Sequence, residues 1–258
     1  MIPMLHNMHI HTFRSSCAHD EMVIADIVDR ALAAGLETIG LVDHVNTGSA
    51  REIAFLADDR RDVERLGSRL RVLVGAEVTM LSPQRPAMTP QQAAGLDFVM
   101  IAANHYHLAE IVEQPRDLSA QGIAEHALAM LEGAIETGMA RIIAHPLLLT
   151  KVGWLPPDEM MRHLTPDRLR PILDKAAQRG TALELNPRLV ERFAAFYATL
   201  IPACQAAGVR FALGSDAHSL DGIAYAEDGV YRGAGPDKLA GLGLRPEDLI
   251  DPRATAVR

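Results

Sequence analysis

The sequence predicts an α/β fold, a closed or nearly closed barrel of strands each followed by a helix, in one domain spanning residues 1–258. Three observations carry that expectation. Short apolar runs of strand length alternate with longer segments whose apolar residues recur at three and four, so the periodicity switches repeatedly between strand and helix. Several helical segments stop at a glycine just before the next apolar run, at Gly35, Gly138, Gly180 and Gly208. The length of 258 residues matches the roughly 250 that one barrel of this architecture occupies. A doubly wound open sheet built from the same β-α units is the alternative.

In chain order, the strand candidates are Met4–Ile10, Thr38–Val42, Leu70–Ala76, Phe98–Ala103, Ala140–Ala144, Thr181–Leu185 and Arg210–Gly214. Most are apolar throughout, as parallel strands buried on both faces are. Between them, one helical stripe carries Val23, Ile24, Ile27, Val28 and Ala31, and another Ile123, Ala127, Leu128, Leu131 and Ile135. Leu169, Ile172, Leu173 and Ala176 repeat the pattern, and Leu189, Phe193, Phe196 and Leu200 form a further stripe. After Tyr231 a last helix is expected around Asp237–Leu242, followed by "LRPEDLID" as a surface cap. There is no internal repeat, low-complexity segment or Gly-rich phosphate loop.

Composition narrows the function classes. A hydrophobic fraction of 48% against 22% charged residues supplies a full core and excludes a disordered chain. A net charge of −8 without any Lys/Arg-rich run argues against a protein held on nucleic acid by a basic surface. It still permits a small anionic substrate, because bound cations reverse a local field. The aromatic fraction of 4% leaves few stacking platforms for a long single strand. Two cysteines, Cys17 and Cys204, do not make a disulfide framework. No apolar run approaches the roughly 18 residues of a membrane span, and residues 1–13 lack the features of a signal peptide. Cytoplasm is the expected compartment, with no membrane partner.

Candidate ligands fall at the strand ends. In "NMHIHT", His9 and His11 are spaced i, i+2 and leave an extended strand on one side. Asp43 and His44 follow the second strand candidate, Glu77 the third, His105 the fourth and His145 the fifth. Glu184 and Asn186 fall at the sixth, and Asp216 with His218 follows the seventh. Parallel strands in a barrel bring all these ends to one rim, where active sites of this architecture are built. Neutral imidazole and carboxylate suit Zn²⁺, Mn²⁺ or Fe²⁺, and Glu77 can bridge two cations. His19 lies in the loop "RSSCAHD" rather than at a strand end, and His105 and His107 in "NHYH" compete for one position. His6, His126 and His163 lie off the rim as surface or packing residues.

On these residues the chain resembles the polymerase-and-histidinol-phosphatase (PHP) superfamily over nearly its whole length. The likeness rests on "HIHT", the loop histidine His19, "ADIVDRALAAGLETIGLVDH", "GAEV", "DFVMIAANH", "IIAHP", "ELN" and "GSDAH", in that order. The resemblance implies a distorted seven-stranded (β/α) barrel of PHP type holding three divalent metal ions. It implies that His9, His11, Glu77 and Asp216 hold one ion, Glu77, His105 and His145 a second, and His19, His44 and His218 a third.

The function expected from this set is metal-dependent hydrolysis of a small phosphomonoester, histidinol phosphate-like or nucleotide-like, by a hydroxide bridging two ions. Asp43, Glu77 and Asp216 are the candidate catalytic carboxylates, Asp43 being a rim acid that could protonate the leaving group. Arg188 in "ELNPRLVER", Arg14 and Asn186 are the candidate substrate contacts, a guanidinium binding phosphate bidentately. No stable nucleic-acid partner is expected. The alternatives are a nuclease or phosphodiesterase acting on short single-stranded oligonucleotides, and a non-catalytic metal-binding module. A metal-dependent amidohydrolase also uses an HxH strand but wants a bridging carbamylated lysine, and only Lys151 comes near a strand end.

Overall fold

The computed structural model describes residues 1–148 and 157–254. Seven parallel strands run in sequential spatial order: β1 (His6–Ile10), β2 (Thr38–Leu41), β3 (Arg71–Ser82), β4 (Phe98–Ala102), β5 (Ile142–Ala144), β6 (Ala182–Leu185) and β7 (Phe211–Leu213). Helices pack outside them: α1 (Ile24–Ala33), α2 (Ala50–Leu66), α3 (Ala120–Glu136), α4 (Pro166–Arg179), α5 (Pro187–Arg192) and α6 (Ala194–Ala207). Among the described residues no helix is long and apolar enough to cross a membrane.

The sheet nearly closes on itself, which removes the open doubly wound alternative. Near the rim, β1 meets the chain beyond β7 through a parallel bridge: His11 N–H donates to the Ala217 carbonyl (3.0 Å) and Ala217 N–H to that of His9 (3.2 Å). Lower down, side chains close the seam. His6 Nε2 accepts from Leu213 N–H (3.0 Å), and burial lowers the His6 pKa to about 4, which keeps the ring neutral and able to accept. Asn7 Oδ1 accepts from Ser215 N–H (3.0 Å) while its amide donates to the Ser215 hydroxyl (2.7 Å). His6 is thus a packing residue, as expected from its place in the sequence.

The barrel interior is a small apolar cluster that includes Met8, Val42, Leu73, Phe98, Met100, Ala144 and Ala212. The Phe98 ring fills its middle, and two neighbouring strands make room for it by lacking side chains. A Cβ at Gly40 would lie 2.7 Å from Phe98 Cζ and 2.8 Å from the Met8 carbonyl, and one at Gly75 would lie 2.8 Å from the same ring. Ile10 packs outside the barrel although Met8, of the same parity, packs inside. A register shift against β2 between Asn7 and Ile10 accounts for the switch. Such irregularities re-aim side chains beside active sites.

Three elements differ from the sequence reading. β3 runs to Ser82 instead of ending near Ala76, because its outer half pairs with β4, with His44–Val45 and with the antiparallel Arg85–Pro86. Glu77 therefore lies within a strand. The polar α2 carries no recognisable apolar stripe, since only Leu56 and Asp59 are buried. Its N-terminus is held by a capping box between Ser49 and Glu52. The stripe from Leu189 to Leu200 is split at Phe193 into α5 and α6. The last helix forms at Pro236–Gly241, and the tail beyond it closes the bottom of the barrel, with Ile250 N–H donating to the Phe211 carbonyl (2.8 Å).

Gly40→Ala tests the interior directly. The added methyl must displace Phe98 or Met8, and we expect a loss of about 1–3 kcal/mol, measured as a lower urea midpoint at unchanged m-value.

Candidate metal centre

The site is built around one carboxylate. Glu77 is fully buried, and its two oxygens face different imidazoles. Oε1 lies 2.9 Å from His145 Nε2 and 3.4 Å from His105 Nε2. Oε2 lies 2.7 Å from His44 Nδ1 and 3.7 Å from the Nε2 atoms of both His9 and His11. Asp216 Oδ1 completes the cluster, 3.1 Å from His11 Nε2 and 3.3 Å from His9 Nε2. Four overlapping groups have ligand atoms within 4.8 Å of one another: His9/His11/Asp216, His9/Glu77/His145, His44/Glu77/His105 and His11/His44/His218.

This arrangement fits divalent cations. His44 Nδ1 and Glu77 Oε2 are buried without a properly directed hydrogen bond, and the His9 and His11 nitrogens face each other at 3.1 Å. Buried polar atoms aimed at one another in this way are short of a partner that all could share. Nitrogen and carboxylate donors suit zinc-type ions.

A second layer turns the imidazoles inward. His9 Nδ1 meets Glu184 Oε1 (2.9 Å), His105 Nδ1 meets the Thr79 hydroxyl (2.8 Å), and His145 Nδ1 meets Asn104 Oδ1 (2.9 Å). Ser15 Oγ stands 3.3 Å from His11 Nδ1, and His218 Nδ1 is 2.9 Å from the Asp216 carbonyl. With Nδ1 occupied, Nε2 of each ring is left for a metal. Glu184 also accepts the His145 backbone N–H, so one carboxylate positions two ligands. His145 (φ 28°) and Asp216 (φ 54°) both sit in left-handed backbone, which costs non-glycine residues about 1–3 kcal/mol each and concentrates at functional sites.

Electrostatics follow this geometry. Burial disfavours both carboxylate anions, but His44, His105 and His9 hold Glu77 well below its ordinary pKa, and His9 and His11 do the same to Asp216. Burial opposes charge on His9 and His145 too, yet the surrounding carboxylates raise both. Burial prevails at His11, lowering it to about 4, and also lowers His105.

A cavity of about 260 Å³ opens over the cluster, lined by His44, Glu77, His105, His145, Asp216 and His218 with Cys17, Asn104, His107, Leu148 and Leu189. Of the two competing histidines, His105 is buried against Glu77, while His107 is exposed at the mouth with its ring centroid 5.1 Å away. His126 accepts or donates to Tyr106 (2.9 Å) away from the cluster. Lys151 lies outside the described residues, and Glu77 occupies the position of a bridging group.

Several expected site residues are placed elsewhere. Asp43, expected as a rim acid, accepts from the Thr12 amide (2.7 Å) and the Ser15 hydroxyl (2.7 Å), anchors the loop after β1 and does not line the cavity. Arg14, expected as a phosphate contact, is bound to Asp59 (2.7 Å) and Asp62 on α2 and is outside the cavity lining. Asn186 caps α5 by accepting from Arg188 N–H (3.0 Å) and donates to the Ser215 carbonyl. Arg188 is exposed and outside the cavity lining. The His19 side chain is 68% exposed and lies 3.8 Å from Glu21, while its backbone N–H donates to the His218 carbonyl (2.9 Å). Cys17, exposed in the same loop, lines the cavity with His44 and His218, and the two imidazoles lower its thiol to about 6 against the opposing effect of burial. Cys17, Asn104 and Thr79 were not singled out from sequence. For Asn104 its place beside His105 in "ANH" was the available signal.

Two outcomes follow. Glu184→Gln keeps the shape but weakens the hold on His9 and His145, so zinc affinity should fall about 10–100-fold, read by competition with a chelating dye, with the fold intact by circular dichroism. Asp59 is raised from 3.8 to about 8, first by burial and then by Asp43, with Arg14 opposing. The folded chain therefore binds this proton more tightly than the unfolded one. The stabilisation is complete below pH 3.8 and is lost as pH rises through about 8. Asp59→Asn should flatten that part of the curve of melting temperature against pH.

Comparison with known proteins gives a consistent family. A Deinococcus radiodurans protein named a probable histidinol-phosphatase is 25% identical over 232 residues, covering 81% of this chain and 85% of its own. The fold matches histidinol phosphate phosphatase from Lactococcus lactis, solved with zinc, L-histidinol and phosphate, at TM-score 0.59 and 17% identity, covering 84% of this chain and 89% of that one. It also matches a Listeria monocytogenes structure assigned as a histidinol phosphatase, at TM-score 0.62 and 14% identity, covering 84% and 97%. The PHP domain pattern matches residues 7–188, from the strand that carries His9 and His11 to the start of α5, and the chain belongs to the PHP domain family.

Proposed function

We propose that the protein is a metal-dependent phosphoesterase that hydrolyses a small phosphomonoester in the cavity above the histidine cluster. Three divalent cations would be held there: one by His9, His11, Glu77 and Asp216, a second by Glu77, His105 and His145, and a third with His44 and His218 among its ligands. The observation that carries this reading is the buried Glu77, whose oxygens divide between two imidazole sets as a bridging carboxylate requires. Ions held there supply Lewis acidity toward phosphoryl oxygens and lower the pKa of water.

The chain's own residues account for the rest. Among the described lining residues there is no lysine or arginine, so the substrate's negative charge is met by cations bound to this acidic cluster rather than by a guanidinium. Leu148 and Leu189 form apolar walls that limit water, and Asn104 orients His145 while facing the same space. A volume of about 260 Å³ suits a small ester rather than a polymer track. The names of the Deinococcus and Lactococcus proteins support a monoester, with histidinol phosphate as the first compound to try.

The test is phosphate release by metal-stripped enzyme resupplied with Zn²⁺ or Mn²⁺, on histidinol phosphate, other sugar and alcohol phosphates, nucleotides and a short single-stranded oligonucleotide. We expect metal-dependent release from a monoester, an intact oligonucleotide, and loss of activity in His9→Ala. Oligonucleotide cleavage with silent monoesters would replace the reading by a nuclease. Silence on all of them with tightly bound metal would replace it by a binding module.

A further inference from the structure

His145 reaches the cluster at the start of the turn His145–Leu148, which the Leu148 N–H closes by donating to the His145 carbonyl (3.3 Å). His145 (φ 28°) and Leu147 (φ 60°) both have left-handed backbone there without being glycine. Pro146 suits the second position of such a turn, but the third, taken by Leu147, ordinarily carries glycine. Leu147 instead buries its side chain in the larger apolar cluster. The turn is strained for its sequence and needs holding from outside.

One side chain does this. Asn104, just beyond β4, donates through its amide nitrogen to the His145 carbonyl (3.0 Å) and to the Leu148 carbonyl (2.8 Å), the two ends of the turn. Its oxygen faces His145 Nδ1 (2.9 Å). Two carbonyls on one side fix which end of the amide is nitrogen, because an oxygen there would set acceptor against acceptor. The amide oxygen can then only accept, so His145 carries a proton on Nδ1 and turns Nε2 to Glu77 Oε1 (2.9 Å), where a cation can be shared.

We propose that Asn104 is a positioning residue that ties the His145–Leu148 turn at both ends, so that one amide sets how His145 meets a metal and where Leu148 stands as a wall of the cavity. The inference rests on the metal-centre reading of the cluster, but not on the reaction. An aspartate at this position separates the two halves of the role. It still accepts from His145 Nδ1, but it donates to neither carbonyl and sets a carboxylate against both.

The experiment uses the full chain, metal-stripped and reloaded with Co²⁺. It reads cobalt affinity and the ion-shifted imidazole N–H proton of His145, identified by its absence from His145→Ala. We expect this resonance in the unmodified protein, in slow exchange with solvent. Asn104→Ala and Asn104→Asp should both lose it and bind one ion about 10–100-fold more weakly, with circular dichroism unchanged. A merely structural role would lower the melting temperature and leave the resonance in the folded variants. A further reading needs no variant: both side-chain amide protons of Asn104 should be protected from exchange in the zinc-loaded protein. Unchanged resonance and affinity in Asn104→Asp, absence of the resonance from the unmodified protein, or unprotected amide protons would each overturn the assignment. None of these readings involves a phosphoester. A chain that meets them but releases no phosphate would support the positioning role and overturn the reaction proposed above.

Discussion

Burying a carboxylate without partners costs several kcal/mol, and the centre of this structure is a carboxylate with no exposure at all. Glu77 is tolerable only because imidazole nitrogens from four other chain segments surround it. Those segments are brought there by the barrel, whose strand order places β1, β2, β4 and β5 around the strand that carries Glu77. The dependence runs in both directions. Without the barrel the ligands would not meet, and without them, or the cations that their geometry suits, the rim would hold an uncompensated charge.

The positions of strain and irregularity follow from that constraint. The register shift in β1 lets Met8 pack inside the barrel while His9, one residue on, reaches the rim. Left-handed backbone occurs at His145 and Asp216, just beyond β5 and β7, where their side chains join the cluster. Glu184 spans the two regions, accepting from the backbone of His145 and contacting the ring of His9. A few kcal/mol of local strain is offset by a shared set of hydrogen bonds, as expected where a fold sacrifices local preference for a site.

What could be read from the sequence divides along the same line. The seven barrel strands are visible because parallel strands covered on both faces are apolar runs, and the convergence of His9, His105, His145 and Asp216 follows from strand ends, whereas Glu77 lies in the middle of β3. The outer half of β3 is not visible, because "EVTMLS" becomes strand through pairing with segments distant in sequence. Nor is α2, whose polar sequence depends on a capping box rather than an apolar stripe. Missing α2 has a direct consequence in the site. Arg14 looks free to bind phosphate only if Asp59 and Asp62 are not recognised as one acidic face beside it. Cys17 and His19 show a further limit. They are two residues apart in a loop and both exposed, and that Cys17 lines the cavity while the His19 side chain stands beside Glu21 is a tertiary fact that spacing does not contain.

The cluster is also graded from rigid to accessible, and the gradient bears on how it would work. His9, His11 and Glu77 have no exposure, and their rings are fixed from behind by Glu184 and Ser15. His44 and His218 keep 20% and 30% of their side-chain surface, and the residue facing them comes from a loop. An ion held by the first set would be encaged and slow to exchange. One held by the second would lie nearest the cavity mouth, where an incoming phosphate oxygen can enter its coordination shell without disturbing a strand. Keeping the carboxylate deep and the more exposed imidazoles shallow therefore separates two demands on one cluster: a rigid charge centre that the fold depends on, and an edge that opens on the cavity.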